Sequence, residues 1–134
     1  TKYGLSVFEH ESNRIMGKLS ELNNDYKEAI INYKKGIHES PPWWPWGRGN
    51  HRSIGRCYRK IKKYKEAENN LLFELKIHPY HPKNHYELGL LYNDMKDNKK
   101  ATKHMQKAVD IWKDADKEFS VAQDAKSKLK KWTK

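Results

Sequence analysis

The sequence predicts an all-α fold, a solenoid of repeated antiparallel helix pairs, and three observations carry that prediction. The first is an internal period. Ile54-Gly55-x-x-Tyr58 returns as Leu88-Gly89-x-x-Tyr92, and Ala67 returns as Ala101, each 34 residues further on. Looking backward, Met16-Gly17, Tyr26 and Ala29 match Ile54-Gly55, Tyr64 and Ala67 at a shift of 38. The second is that each unit carries two apolar stripes at helical spacing, split by a short polar break. The third is a set of small residues at fixed repeat positions. Three units of about 10–43, 48–81 and 82–115 emerge, followed by a capping helix over about 116–134, all within one domain of 134 residues.

The elements follow in order. In unit one, Met16-Gly17 belongs to a first helix, and Tyr26 and Ala29 to a second. Residues Tyr3 to Phe8 either extend that first helix or belong to a preceding element. The four extra residues fall around Trp44-Pro45-Trp46-Gly47. In unit two, Ile54, Cys57, Tyr58 and Ile61 share a face; Lys62-Lys63 forms the turn; Tyr64, Ala67, Leu71 and Leu75 form the second stripe. In unit three the stripes are Leu88, Leu91, Tyr92 and Met95, then Ala101, Met105, Ala108, Val109 and Trp112, with the break at Asp97-Asn98. Glycine in a helix interior costs about 1 kcal/mol relative to alanine. Gly17, Gly55 and Gly89 at one repeat position therefore imply a close helix crossing, with Ala29, Ala67 and Ala101 on the opposite side. Pro41, Pro79 and Pro82 punctuate the joins. Phe119, Ala122, Ala125, Leu129 and Trp132 step by three or four and can cover the end of the stack, as terminal solenoid elements must.

Composition excludes several classes. No apolar run approaches 18 residues, so no transmembrane helix is expected. One cysteine, Cys57, excludes an internal disulfide framework and a multi-cysteine metal site. Sixteen aromatic residues argue against full disorder even though mean hydropathy is −1.15. The chain opens at Thr1 with no basic-then-apolar leader, which is expected of a processed or excised piece. A lone cysteine fits a cytoplasmic setting and is compatible with a periplasmic or secreted one.

The spacing resembles the tetratricopeptide repeat (TPR) family, whose unit is a 34-residue helix–turn–helix with Trp, Leu-Gly, Tyr, Ala, an aromatic and Pro at set offsets. The resemblance covers about residues 10–115. Asn13, His51 and His85 stand where the family has Trp, Ser20 where it has the first-helix Tyr in unit one, and Lys113 where it has the closing Pro in unit three. It implies a right-handed superhelical solenoid whose first helices line a concave groove, and a non-catalytic scaffold for protein binding.

The charge is concentrated. The formal net charge is +11, yet residues 48–63 carry seven basic residues and no acid, and residues 126–134 carry five and no acid. The other 109 residues net −1. Four of the five arginines, Arg48, Arg52, Arg56 and Arg59, step by four, four and three, within a stripe of about 80° on one helix. Arg14 holds in unit one the position of Arg52, and Lys18 that of Arg56. Arginine presents a planar fork that takes carboxylate bidentately, which lysine does not. By the resemblance, Arg14, Lys18, Arg48, Arg52, Arg56 and Arg59, joined by Lys83, face the groove and suit an acidic or extended peptide. The alternative reading is a solvated face, or internal pairing with Glu11, Glu21 or Glu87. The family's carboxylate clamp takes Lys, Asn and Arg; here Arg14 and Lys83 are suitable, but Lys18 and Ser53 replace Asn and Glu87 replaces Arg, so that clamp is not expected.

Pro41-Pro42-Trp43-Trp44-Pro45-Trp46-Gly47 forms a stiff aromatic loop before the arginine helix. Trp43, Trp44 and Trp46 either border one rim of the groove or plug the widened joint. His78 and His81 sit in a proline-marked turn and His85 in the family's Trp slot, so no metal ligation is expected. Cys57 lies on the apolar stripe, and no nucleophile elbow or phosphate loop appears, so neither catalysis nor a cofactor is expected. Two other readings remain. One is docking within a longer polypeptide of its own. The other is binding of nucleic acid or an anionic surface through the stripe and the lysine tail, which lacks a supporting motif.

Overall fold

The computed structural model describes the backbone of residues 2–39, 50–114 and 119–134, with side chains described at 11–37, 50–114 and 119–134. Every regular element among the described residues is helical: α1 (Lys2–Leu22), α2 (Tyr26–Glu39), α3 (Asn50–Lys60), α4 (Tyr64–Ile77), α5 (Pro82–Asp94), α6 (Asn98–Ile111) and α7 (Ser120–Trp132). Tyr3 to Phe8 belong to α1. Trp43, Trp44, Trp46 and Arg48, together with the expected start of the capping helix, lie outside the described residues. The chain divides into two units, residues 1–70 and 71–134.

One turn is used three times. Asn24, Lys62 and Lys96 take φ of 61°, 63° and 65°, the left-handed region. Their amides bond the carbonyls of Glu21, Arg59 and Asn93, each at 3.0 Å. The next amides, of Asp25, Lys63 and Asp97, reach back to Ser20, Tyr58 and Tyr92 at 2.8, 2.9 and 2.9 Å. This paired closure of the last carbonyls usually employs glycine. Asp25 and Asp97 then start the following helix, their Oδ1 atoms accepting from the amides of Glu28 and Lys100 at 3.2 and 3.1 Å. Lys63 occupies the same place in the second repeat and has no acceptor to offer. The break in unit three thus falls at 95–97, and Asn98 is the first residue of α6.

In the first unit α1 packs on α2 and α2 on α3. Gly17 permits this: a Cβ there would lie 2.7 Å from Cδ1 of the Tyr33 ring. Ala29, Ile30, Tyr33, Ile54 and Cys57 form the core, flanked by Tyr26, Ile37, Tyr58 and Ile61. His51, in the family's Trp slot, bonds Asn70 through Nδ1 and Oδ1 at 3.2 Å.

In the second unit α5 packs on α6 and α6 on α7. Gly89 repeats the device, its missing Cβ leaving room for Met105, whose Cε would be 2.9 Å away. Tyr33 and Met105 are themselves equivalent repeat positions, so the glycine and the large side chain recur as a pair. Ala122 and Ala125 of α7 are fully buried against Met105, Ala108 and Trp112, with Leu129 and Trp132 alongside. The helix therefore caps the third repeat. Phe119 departs from the expected buried stripe: it sits at the N-cap of α7, half-exposed, and meets Trp112 edge-on at 5.4 Å. Met95 likewise lies 40% exposed, because α5 ends one residue before it. Asn84, fully buried, donates to the carbonyls of His78 at 3.0 Å and Glu74 at 3.4 Å, pinning the start of α5 to the end of α4.

Candidate functional site

The basic residues predicted to bind lie mainly on two first helices of the first unit. Arg14 and Lys18 are on α1, and Arg52, Arg56 and Arg59 are on α3. The helical step of four and three places the α3 arginines along one side of that helix. What joins the two helices is a carboxylate. Glu21 of α1 accepts from Nε of Arg56, and its Oε1 accepts from Arg56 Nη2 at 2.8 Å. The Tyr33 hydroxyl of α2 donates to the same Oε1 at 2.8 Å. Ser53 Oγ accepts from Arg56 Nη2 at 3.4 Å. One carboxylate thus holds groups from α1, α2 and α3.

The electrostatics follow from that geometry. Burial alone would raise the Glu21 carboxyl, but the Arg56 bond and charge, the Tyr33 hydroxyl and the nearby Lys18 charge outweigh it and hold Glu21 below its usual range. Burial, then the bond to anionic Glu21, push the Tyr33 hydroxyl well above its ordinary value. Arg14 binds Glu11 one turn away, with Nη2 2.6 Å from Oε1. The predicted internal pairs with Glu11 and Glu21 are therefore both formed, to Arg14 and to Arg56. The Arg56–Glu21 pair is largely out of water: the Arg56 side chain is 23% exposed and its partner's 12%.

Lys83 stands apart in the second unit, in the first turn of α5, where its amide bonds Nδ1 of the N-capping His81 at 3.2 Å. Glu87 is buried in α5. Of the lysine-rich tail, Lys128 is spent on Asp124, with Nζ 2.6 Å from Oδ1, and Tyr86 donates to the other oxygen at 2.5 Å. Burial would raise the Asp124 carboxyl, but these two donors hold it below its ordinary range.

His85 and His104 serve the fold. His85 and His104 stack at 5.5 Å with their Nδ1 atoms 3.2 Å apart, and His85 Nε2 meets the Pro79 carbonyl at 2.9 Å. His104 also stacks on Tyr92 at 5.5 Å. Among the described residues no group of three or more His, Cys, Asp or Glu is placed to hold a metal, and no helix is long and apolar enough to cross a membrane. Cys57 is fully buried.

Two features had no signal in the residue pattern. Tyr33 as a third arm on Glu21 occupies the repeat's aromatic slot, which reads as core. A cleft of about 420 Å³ in the second unit, lined by Leu75, Pro79, Tyr80, His85, Lys107, Asp110 and Ile111, arises from the meeting of α4, its following turn and α6.

Helix pairs with one repeated turn, small-residue crossings and a terminal capping helix define a helical-repeat protein. Residues 82–111 match the model of the tetratricopeptide repeat family. The fold is shared along nearly the whole length with solved TPR domains. PcrH from Pseudomonas aeruginosa superposes with a TM-score of 0.81 at 12% identity, over 93% of this chain and 92% of that one. The TPR2B domain of yeast Sti1, solved as a complex with pHsp70, gives 0.80 at 15% identity, over 94% and 97%. The second TPR domain of human RPAP3, solved with an HSP70 peptide, gives 0.75 at 19% identity, over 96% and 98%. The chain is a tetratricopeptide-repeat protein in fold. No curated protein sequence matches it.

Proposed function

We propose that the chain is a non-catalytic protein-interaction module that binds an acidic or extended peptide on the first helices of its repeats. The observation that carries this is the excess of cations over carboxylates on α1 and α3, seven against three, with arginines rather than lysines predominating. Solved relatives of the same fold hold peptides: PcrH was solved with the chaperone binding region of PopD, and a Spaghetti (RPAP3) TPR domain with an HSP90 peptide. Their ligands support a peptide as the partner class; the acidity of the peptide rests on this chain's own charge.

Within the basic set the division of labour follows from the bonds. Arg56 organises the face through Glu21, and Arg14, Lys18, Arg52 and Arg59 supply the charge that meets the ligand. Arg52 and Arg59 flank Arg56 by one turn on either side, so two ligand carboxylates about 10 Å apart suit them. Lys83 and, by sequence, Arg48 extend the same chemistry. Titration of acidic peptides by calorimetry tests the proposal. An Arg52→Ala/Lys18→Ala variant should bind about tenfold or more weakly at low salt, with its helical circular dichroism preserved. Equal affinity for acidic and neutral peptides, or no loss in the variant, overturns it. A steep salt slope without peptide preference would instead indicate a polyanion such as nucleic acid.

A further inference from the structure

Among the described residues α1 is the longest helix, 21 residues, and four of its apolar side chains stand exposed. Ile15, Met16, Leu19 and Leu22 are 48%, 48%, 49% and 68% exposed. Isolated exposed apolar residues are ordinary, but four contiguous ones are not. At 100° per residue Ile15, Leu19 and Leu22 fall within about 60° of one another. Gly17, which faces Tyr33, lies on the opposite side. The uncovered stripe is thus separate from the surface α1 uses to join its own unit.

The spacing of that stripe is the second observation. Ser12, Ile15, Leu19 and Leu22 step by three, four and three, and in the sequence Leu5 and Phe8 carry the same step toward the start of the helix. With Met16 the exposed apolar arc spans about 120°, and its Ile15–Leu19–Leu22 edge keeps the three–four step of a helix–helix seam. A helix of this length runs about 31 Å, enough for three heptads.

The charges beside the seam select the partner. Glu11 and Lys18 lie seven residues apart on the same edge, the position next to the seam that meets its own kind when two identical helices run antiparallel. Setting Ser12 of one copy against Ile15 of the other brings Glu11 of each opposite Lys18 of the other. A parallel pair offers neither charge a counterpart, because the edge it would meet holds Met16. The stripe is therefore complementary to itself about a two-fold axis, as closed symmetric dimers require.

We infer that α1 is a homodimerisation helix, pairing antiparallel with α1 of a second copy through Ile15, Leu19 and Leu22, with reciprocal Glu11–Lys18 pairs setting direction and register. The inference is independent of the peptide site, although Lys18 stands at the border of both, so the test is made without peptide.

Sedimentation velocity over a concentration series decides it. The wild-type chain should show a concentration-dependent monomer–dimer equilibrium. Ile15→Glu/Leu19→Glu should be monomeric throughout with unchanged helical circular dichroism, because both side chains are exposed in the single chain. Glu11→Lys and Lys18→Glu, each alone, should weaken the dimer about tenfold, since each replaces two attractions by two repulsions. The double exchange Glu11→Lys/Lys18→Glu should restore wild-type association to within about threefold. Glu11→Lys also removes the bond to Arg14, but the double exchange does not restore that bond, so the rescue reports the contact between copies. A wild type that stays monomeric into the hundreds of micromolar overturns the inference and assigns the stripe to a different chain or segment. A double exchange as weak as the single ones overturns the antiparallel pairing.

Discussion

Arg56 of α3 grips Glu21 of α1 with two guanidinium nitrogens, Nη2 standing 2.8 Å from Oε1. The Tyr33 hydroxyl reaches the same oxygen from α2. The pair is a fastening between successive repeats before it is a ligand contact. Both side chains are largely out of water, so removing one leaves the other with an unmet charge. Arg56→Ala should lower unfolding free energy by about 2 kcal/mol in urea titrations. Because Glu21 titrates below its usual range in the folded state, the stability it contributes is present above the ordinary carboxylate range and lost as pH falls through the lowered value. Arg56→Ala should blunt that acid sensitivity.

The two glycine crossings should respond differently to a methyl group. At Gly17 the added Cβ meets the Tyr33 ring at 2.7 and 2.8 Å, and that ring is held at its far end by Glu21. At Gly89 it meets the terminal methyl of Met105 at 2.9 Å, which can swing aside. Alanine gains about 1 kcal/mol of helix propensity at either site. Gly17→Ala should therefore destabilise by about 1–3 kcal/mol, and Gly89→Ala should fall within about 1 kcal/mol of wild type. Equal losses in thermal melts would contradict this.

The second repeat lacks the aspartate that starts the second helix in its neighbours. Lys63 stands where Asp25 and Asp97 accept backbone amides. Lys63→Asp should raise stability by about 1 kcal/mol, through the cap and through favourable charge at the helix start. Asp97→Ala should cost a similar amount. Chemical denaturation of the two variants checks both.

The His85–His104 contact should make the second unit sensitive to mild acid. Burial first, then the charges of His85, Lys107, Lys103 and Lys100, lower His104 from 6.5 to about 4. Burial also lowers His85, against the pull of the Pro79 carbonyl. Over this window the unfolded chain binds protons that the folded chain does not. Stability is therefore full above about 6.5, declines as pH falls, and levels off below about 4. The loss should be on the order of 2 kcal/mol, since the ring keeps some contact with water. His104→Asn, which restores the residue Asn70 supplies in the repeat before, should flatten the profile between those limits.

Much of the fold was legible because repetition multiplies weak signals. One glycine in a helix says little, but Gly17, Gly55 and Gly89 at one repeat position announce a crossing, and the large residues opposite Gly17 and Gly89 bear that out. The capping helix was legible from a single stripe, since Ala122 and Ala125 can only be small and buried at that spacing. Met95 and Phe119 misled because they keep the apolar period while lying just outside helix ends. The basic face was legible as a set of residue types and not as a set of bonds. Nothing in sequence spacing says that Glu21 chooses Arg56, 35 positions away, over Lys18 one turn back. The left-handed residues Asn24, Lys62 and Lys96 were also hidden, because two lysines stand where glycine is the usual signal.

Two helix pairs carry different side-chain contacts at one equivalent place. Position 51 meets position 70 as His to Asn, position 85 meets 104 as His to His, and the first repeat holds Asn13 and Asn32 at the corresponding sites. Repeat chains risk folding out of step, with a first helix closing on the second helix of the wrong neighbour. Apolar stripes as alike as these offer little protection against that error. A mismatched imidazole or amide, buried without its intended acceptor, does. The substitutions that blur this chain's resemblance to a consensus repeat thus work as a numbering system, telling each helix which partner is its own.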